Sequence, residues 1–185
     1  AYRVINALAN YYRFSLSKGS EVVDLAREFE LVRNYLVIQD MRYPEMFHAE
    51  YALEEGLEAC HVPKLVVQPL VENALYHGIR PMGQAGTIQI TARSLEGKVA
   101  LTVADDGMGL PQDQLDRIVA DRLEANADSF GLRGTVERMR LFFGGELEYR
   151  VASAPNHGTL ITFLFPKETA ASGTPVEERE WIPRQ

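Results

Sequence analysis

The chain has 185 residues, one cysteine and a formal net charge of −7, and 46% of its residues are hydrophobic. That length suits one domain with a partial neighbour, and the composition is ample for a packed core. The charge excludes a protein built mainly to grip nucleic-acid phosphates, which takes a positive field, but not one that holds a single nucleotide with a few local donors.

Cys60 stands alone, so an internal disulfide framework is impossible; it reads as a small buried hydrophobe. His48, His61, His77 and His157 show no metal-binding spacing. No apolar run approaches the ~18–20 residues of a membrane span. The opening AYRVINALANYYRF reads as the middle of an uncapped helix, so the expectation is a piece of a longer protein.

In chain order, Ile5, Leu8, Tyr12 and Leu16 predict a helix over 1–17, broken at Gly19. Asp24 is the expected N-cap of a second helix carrying Leu25, Phe29, Val32, Leu36 and Met41, stopped by Pro44. Two amphipathic helices without a sheet need a partner surface, and a second chain could supply it. FHAEYAL alternates as a strand, and Pro63 is expected to open a helix running to about Gly78. TIQITARS and KVALTVAD form a hairpin through LEGK. A Gly-rich turn, DDGMGL, follows the second strand, and Pro111 starts another helix. EANADS is loose; GLRGTVERMRLFF is a helix ending at Gly144 and Gly145. Two strands around the turn PNHG close the fold, and residues 167–185 read as a tail.

The chemistry concentrates in a few stretches. In VADDGMGL, an acid pair ends an apolar strand and two glycines follow. A carboxylate there can accept from an exocyclic amine, and glycines let the backbone approach a flat ring. Alone, this short pattern is better explained as a plain Asp-Gly turn. It does not stand alone. Upstream, QPLVENALYHGI sets Glu72, Asn73, Tyr76 and His77 on an otherwise apolar helix; downstream lie SFGLRG and HGTLITFLFP. An Asn oxygen can coordinate Mg²⁺, a Gly-rich helix start offers N–H groups to phosphates, and a Gly-Thr pair adds a hydroxyl.

These stretches, with YYRFSL and EFELVRNYLVIQDMRY, resemble the GHKL ATP-binding superfamily and, within it, the LytS-like sensor histidine kinases, over nearly everything from Tyr11 to Pro166. The resemblance implies an α/β (α+β) two-layer sandwich of Bergerat type with a mixed sheet. It implies an end of the dimerisation region at 1–43, an ATP-binding domain at 44–166 and a flexible tail at 167–185. It implies ATP and Mg²⁺ as cofactors. Asn73 would hold Mg²⁺, His77 would lie near the phosphates, and Glu72 would assist them in catalysis. Asp105 would take the adenine amine, Gly107 and Gly109 would pack under base and lid, Gly131 and Leu132 would meet phosphates, and Thr159 would support adenine. Residues 120–130 would form the lid.

A homodimer through the N-terminal helices, a response regulator (LytTR-type among the candidates) and no nucleic acid are the partners implied. The cytoplasmic location and the anchoring in a bacterial inner or plasma membrane that the resemblance implies belong to the full-length protein, through segments beyond these residues. The sequence departs from the family at Ser129 and Gly134, where Gly and Asn are usual, and at Asp106, where Asn is common; the first two would lower nucleotide affinity. No histidine has the phosphoacceptor context, which is expected upstream of Ala1. Two alternatives stand beside this reading: a GHKL ATPase, and a degenerate, nucleotide-insensitive dimerisation module. The ATPases need a carboxylate four residues before the Asn, a place held here by Pro69.

Overall fold

The computed structural model describes residues 2–15, 21–120 and 130–167; most of the lid expected at 120–130, with Ser129, and all but the first residue of the tail expected at 167–185 lie outside the described residues. Helix α1 spans Tyr2–Ser15 and helix α2 Leu25–Arg42. The Asp24 side chain caps α2 as expected, accepting from the Arg27 N–H at 2.8 Å. Between and after them lie two short strands that periodicity does not reveal, β1 (Val22–Asp24) and β3 (His61–Pro63), paired antiparallel with Val23 opposite Val62.

The main sheet has five strands in the order β2-β4-β5-β7-β6: Phe47–Leu53, Gly86–Leu95, Lys98–Asp105, Thr159–Pro166 and Glu148–Ser153. Strands β2 and β4 run parallel and every other pair antiparallel, so the sheet is mixed, as expected. The β4–β5 turn uses Glu96 at φ 51° and Gly97 at φ 80°, the left-handed pair that a tight hairpin requires.

One sheet face is apolar. Ile88, Ile90, Val99, Leu101, Val103, Phe163 and Phe165 share a core with α2, with the helix that carries Asn73 and with α5 (Phe130–Phe143). The opposite face mixes Thr and charged residues with Ala and Leu, and the Thr102 and Thr162 hydroxyls bond across strands there at 2.9 Å. This is the two-layer sandwich, with helices on one side. A further helix, α4, spans Gln112–Ala120.

The expectation of a helix opening at Pro63 is corrected. Pro63 ends β3, and helix α3 begins only at Gln68, running to Asn73 and continuing as π-helix over Ala74–Ile79. The cause lies on another element. Glu28 of α2 is fully buried, and its carboxylate accepts the N–H groups of Leu65, Val66 and Val67 at 2.7, 2.9 and 3.0 Å. Leu65 takes a left-handed φ of 62° to present them. From the other side Arg138 of α5 donates to the carbonyls of Lys64 and Leu65. The turn before α3 is therefore clamped between α2 and α5.

Candidate nucleotide site

Helix α3 with its π-helical continuation carries one site residue at each end of the irregular turn. At the far end, Gly78 lies against the Asp105 carboxylate, and any Cβ there would collide with it. Gly107 in turn lies against the Gly78 backbone, and the Met108 N–H bonds the Gly78 carbonyl at 3.0 Å. The wider π turn brings the helix backbone down onto the end of β5, a distortion often found at functional sites.

Asp105 sits half-buried in this cradle. Its Oδ1 accepts the Gly107 N–H at 2.9 Å. Burial pushes its carboxyl up to about 6; the Gly107 and Thr159 N–H groups oppose that rise, and the charge of Asp106 adds to it. Gly109 (φ 62°) packs on the Ala154 carbonyl and Gly158 (φ 76°) on that of Asp105, so both positions combine a left-handed backbone with no room for a side chain.

At the near end, Asn73 faces Gly131, whose missing Cβ would lie 3.4 Å from the Asn73 Oδ1. Gly131 and Leu132 stand in the first turn of α5, where N–H groups have no acceptor within the helix. The Leu132 side chain itself belongs to the core, so only its backbone is available to a ligand. Gly134, in the family's Asn position, has open space where a side chain would stand.

Other site residues land less centrally. His77 is exposed, one residue before Gly78. Thr159 pairs opposite Asp105 in the β5–β7 register, but its hydroxyl shares a 2.9 Å bond with Ser153. Glu72 accepts from Gln68 Nε2 at 2.8 Å and faces the N-terminal helices. Asp106 does not point its charge freely into the site: its Oδ1 takes the Thr87 N–H at 2.6 Å, tying the turn to β4. Ser153 was not foreseen. Its hydroxyl donates to the Gly158 carbonyl at 2.8 Å and accepts the Leu110 N–H at 2.9 Å, closing the turn around Asp105, and no sequence pattern marks it.

The family model for histidine kinase-, DNA gyrase B- and HSP90-like ATPases matches residues 62–169, the whole of this site. The chain belongs to that family. A histidine kinase model also matches residues 1–47, which hold α1 and α2. The chain is similar to the sensor histidine kinase YpdA of Escherichia coli (strain K12), 30% identical over 169 residues, 91% of this chain and 29% of that protein. It is similar to the sensor histidine kinase YesM of Bacillus subtilis (strain 168), 29% identical over 164 residues, 89% of this chain and 27% of that protein. The chain thus spans under a third of the length of these relatives. The fold matches the histidine kinase domain of a blue-light activated histidine kinase from Erythrobacter litoralis EL346, with TM-score 0.58 and 22% identity, covering 90% of this chain and 74% of that one. No described helix is long and apolar enough to cross a membrane.

Proposed function

We propose that the chain is the ATP-binding catalytic portion of a two-component sensor histidine kinase, with residues 1–43 ending its dimerisation region. One observation carries the reading: a half-buried carboxylate, Asp105, lies in a cradle of glycines that no side chain could share. Asp105 accepts the adenine amine, with Gly107 and Gly109 keeping the backbone low beneath the ring. The Thr159 N–H, opposite Asp105 in the strand register, favours the ionised carboxylate. The first N–H groups of α5, at Gly131 and Leu132, face the phosphates, and His77 stands beside them.

The donor set fits Mg²⁺: the half-exposed Asn73 carboxamide lies open beside the start of α5. When bound, the ion neutralises triphosphate charge. The γ-phosphoryl passes to a histidine outside these residues and then to a response-regulator aspartate, in a protein anchored in a bacterial inner or plasma membrane. Tyr2, Ile5, Leu8 and Tyr12 are 79, 63, 41 and 53% exposed along one side of α1, an apolar stripe suited to a second copy of the chain.

Asn73→Ala is expected to weaken Mg-ATP binding about tenfold while leaving metal-free ADP near wild type. Calorimetry with and without Mg²⁺ reads both. A wild-type chain that binds no adenine nucleotide at millimolar concentration would favour a nucleotide-insensitive dimerisation module instead. Steady hydrolysis to free phosphate would favour the ATPase reading, against which Pro69 stands in the place of the base. The 185 residues are also expected to take up no phosphoryl group from labelled ATP. His77 follows Asn73 on the same helix, badly placed for in-line attack. Acid-labile label on this chain, absent from His77→Ala, would refute that.

A further inference from the structure

Helix α3 carries a second polar stripe that the nucleotide site leaves unused. Asn73 faces Gly131, whereas Gln68, Glu72 and Tyr76, each four residues apart, face α1 and α2. Gln68 Nε2 donates to the Tyr11 hydroxyl of α1 at 2.9 Å and to Glu72 at 2.8 Å. The Tyr76 hydroxyl donates to Gln39 of α2 at 3.1 Å. Tyr35 of α2 is buried, its ring 6.1 Å from that of Tyr11. Its hydroxyl titrates above the ordinary phenol range, first because of burial, then because of the Glu72 charge beside it, then because of Tyr76.

This seam between three helices is polar where apolar packing would serve stability at least as well. It is also incompletely bonded. Gln68 Oε1 is buried without a hydrogen-bond partner, and the Tyr35 hydroxyl is held only loosely, beside Glu72 and Tyr76 but in full hydrogen-bond geometry with neither. A half-satisfied network has a second arrangement within reach: a small shift of α1 or α2 changes which groups pair. Glu72 is the centre of that network and the immediate neighbour of Asn73.

We infer that Glu72 is a positioning residue, the joint through which α1 and α2 set the placement of Asn73 against Gly131, and not a group that meets the transferred phosphoryl. The inference rests on the nucleotide reading above. It deepens that reading by assigning the N-terminal helices a route to the metal-side residue that avoids Asp105.

The test uses the 185-residue chain with Tyr11→Phe, Glu72→Gln and both together. Tyr11→Phe removes one hydroxyl from a half-exposed ring on α1, so folding is safe. Two readouts are taken: the NMR signal of the Asn73 side-chain amide in nucleotide-free protein, and affinities for Mg-ATP and for metal-free ADP. Each single variant should move the Asn73 signal and weaken Mg-ATP by about threefold to tenfold, the scale of remote coupling, with ADP unchanged. The double variant should be no weaker than the worse single, since both act through one joint. An unmoved Asn73 signal with unchanged Mg-ATP affinity overturns the inference. So does a parallel loss of Mg-ATP and ADP with a lowered melting temperature, which marks a purely structural role. Should the wild type bind no nucleotide, the nucleotide reading falls, and the Asn73 signal still decides the coupling.

Discussion

Asp105→Asn is expected to weaken adenine-nucleotide binding by about 10- to 150-fold and to stabilise the empty protein at the same time. The binding loss follows from the acceptor. An ionised carboxylate bonding an amine N–H is worth ~1.5–3 kcal/mol, and the neutral amide forfeits most of that. The stability gain follows from the same burial. The Asp105 carboxyl is raised from 3.8 to about 6 in the fold, so the folded state holds its proton more tightly than the unfolded chain. Its contribution to stability is therefore full below the unfolded value near 3.8 and is lost as pH rises through about 6.

At neutral pH the ionised group costs on the order of 2–3 kcal/mol. Asparagine keeps an oxygen for the Gly107 N–H but accepts more weakly than a carboxylate, and the group is partly solvated, so the net gain is nearer ~1–2 kcal/mol, a few degrees in melting temperature. Thermal melts of both proteins at pH 5 and pH 7 would show it: the difference should be large at pH 7 and shrink at pH 5. Adenine binding by the wild type should strengthen across the same interval as Asp105 ionises. A variant that binds normally, or that melts below wild type at pH 7, would remove Asp105 from its assigned place.

What could be read directly in the sequence was local. Alternation set the β4–β5 hairpin, Asp24 announced the α2 cap, and the D-x-G-x-G turn marked the end of β5 because its glycines answer to the backbone beside them. The turn's second acid was less transparent: Asp106 spends its carboxylate on the Thr87 N–H, a partner 19 residues away. Strands β1 and β3 have three residues each, too few to alternate, and exist because they pair with one another. The π-helical turn was invisible for a similar reason. It is the fit of Gly78 to Asp105, a residue from another element, that the helix accommodates. The resemblance implies a part in catalysis for Glu72, the neighbour of Asn73. One step along a helix turns a side chain about 100°, and here that step separates Asn73, which faces Gly131, from Glu72, which meets Gln68 at the seam with α1 and α2.

Helix α3 starts at Gln68 and not at Pro63 because Glu28 of α2 holds the turn before it. Glu28→Ala should destabilise the chain by ~3–5 kcal/mol, the cost of breaking a buried charged assembly from one side. Three N–H groups lose their shared acceptor, those of Val66 and Val67 buried and that of Leu65 partly so. Leu65 loses what holds it at φ 62°, and Arg138 loses the charge that offsets its own burial. Burial alone raises the Glu28 carboxyl, while the three N–H groups and Arg138 pull it back toward the ionised form.

Glu28→Gln should cost less, about 1.5–3 kcal/mol, because one oxygen still accepts while the new NH₂ group faces a donor. Against the 5–15 kcal/mol typical of a whole domain, the alanine variant stands near the limit of folding. Urea unfolding of the three proteins would rank them wild type, Gln, Ala in falling stability. An alanine variant within about 1 kcal/mol of wild type would mean that the turn before α3 holds its shape without Glu28.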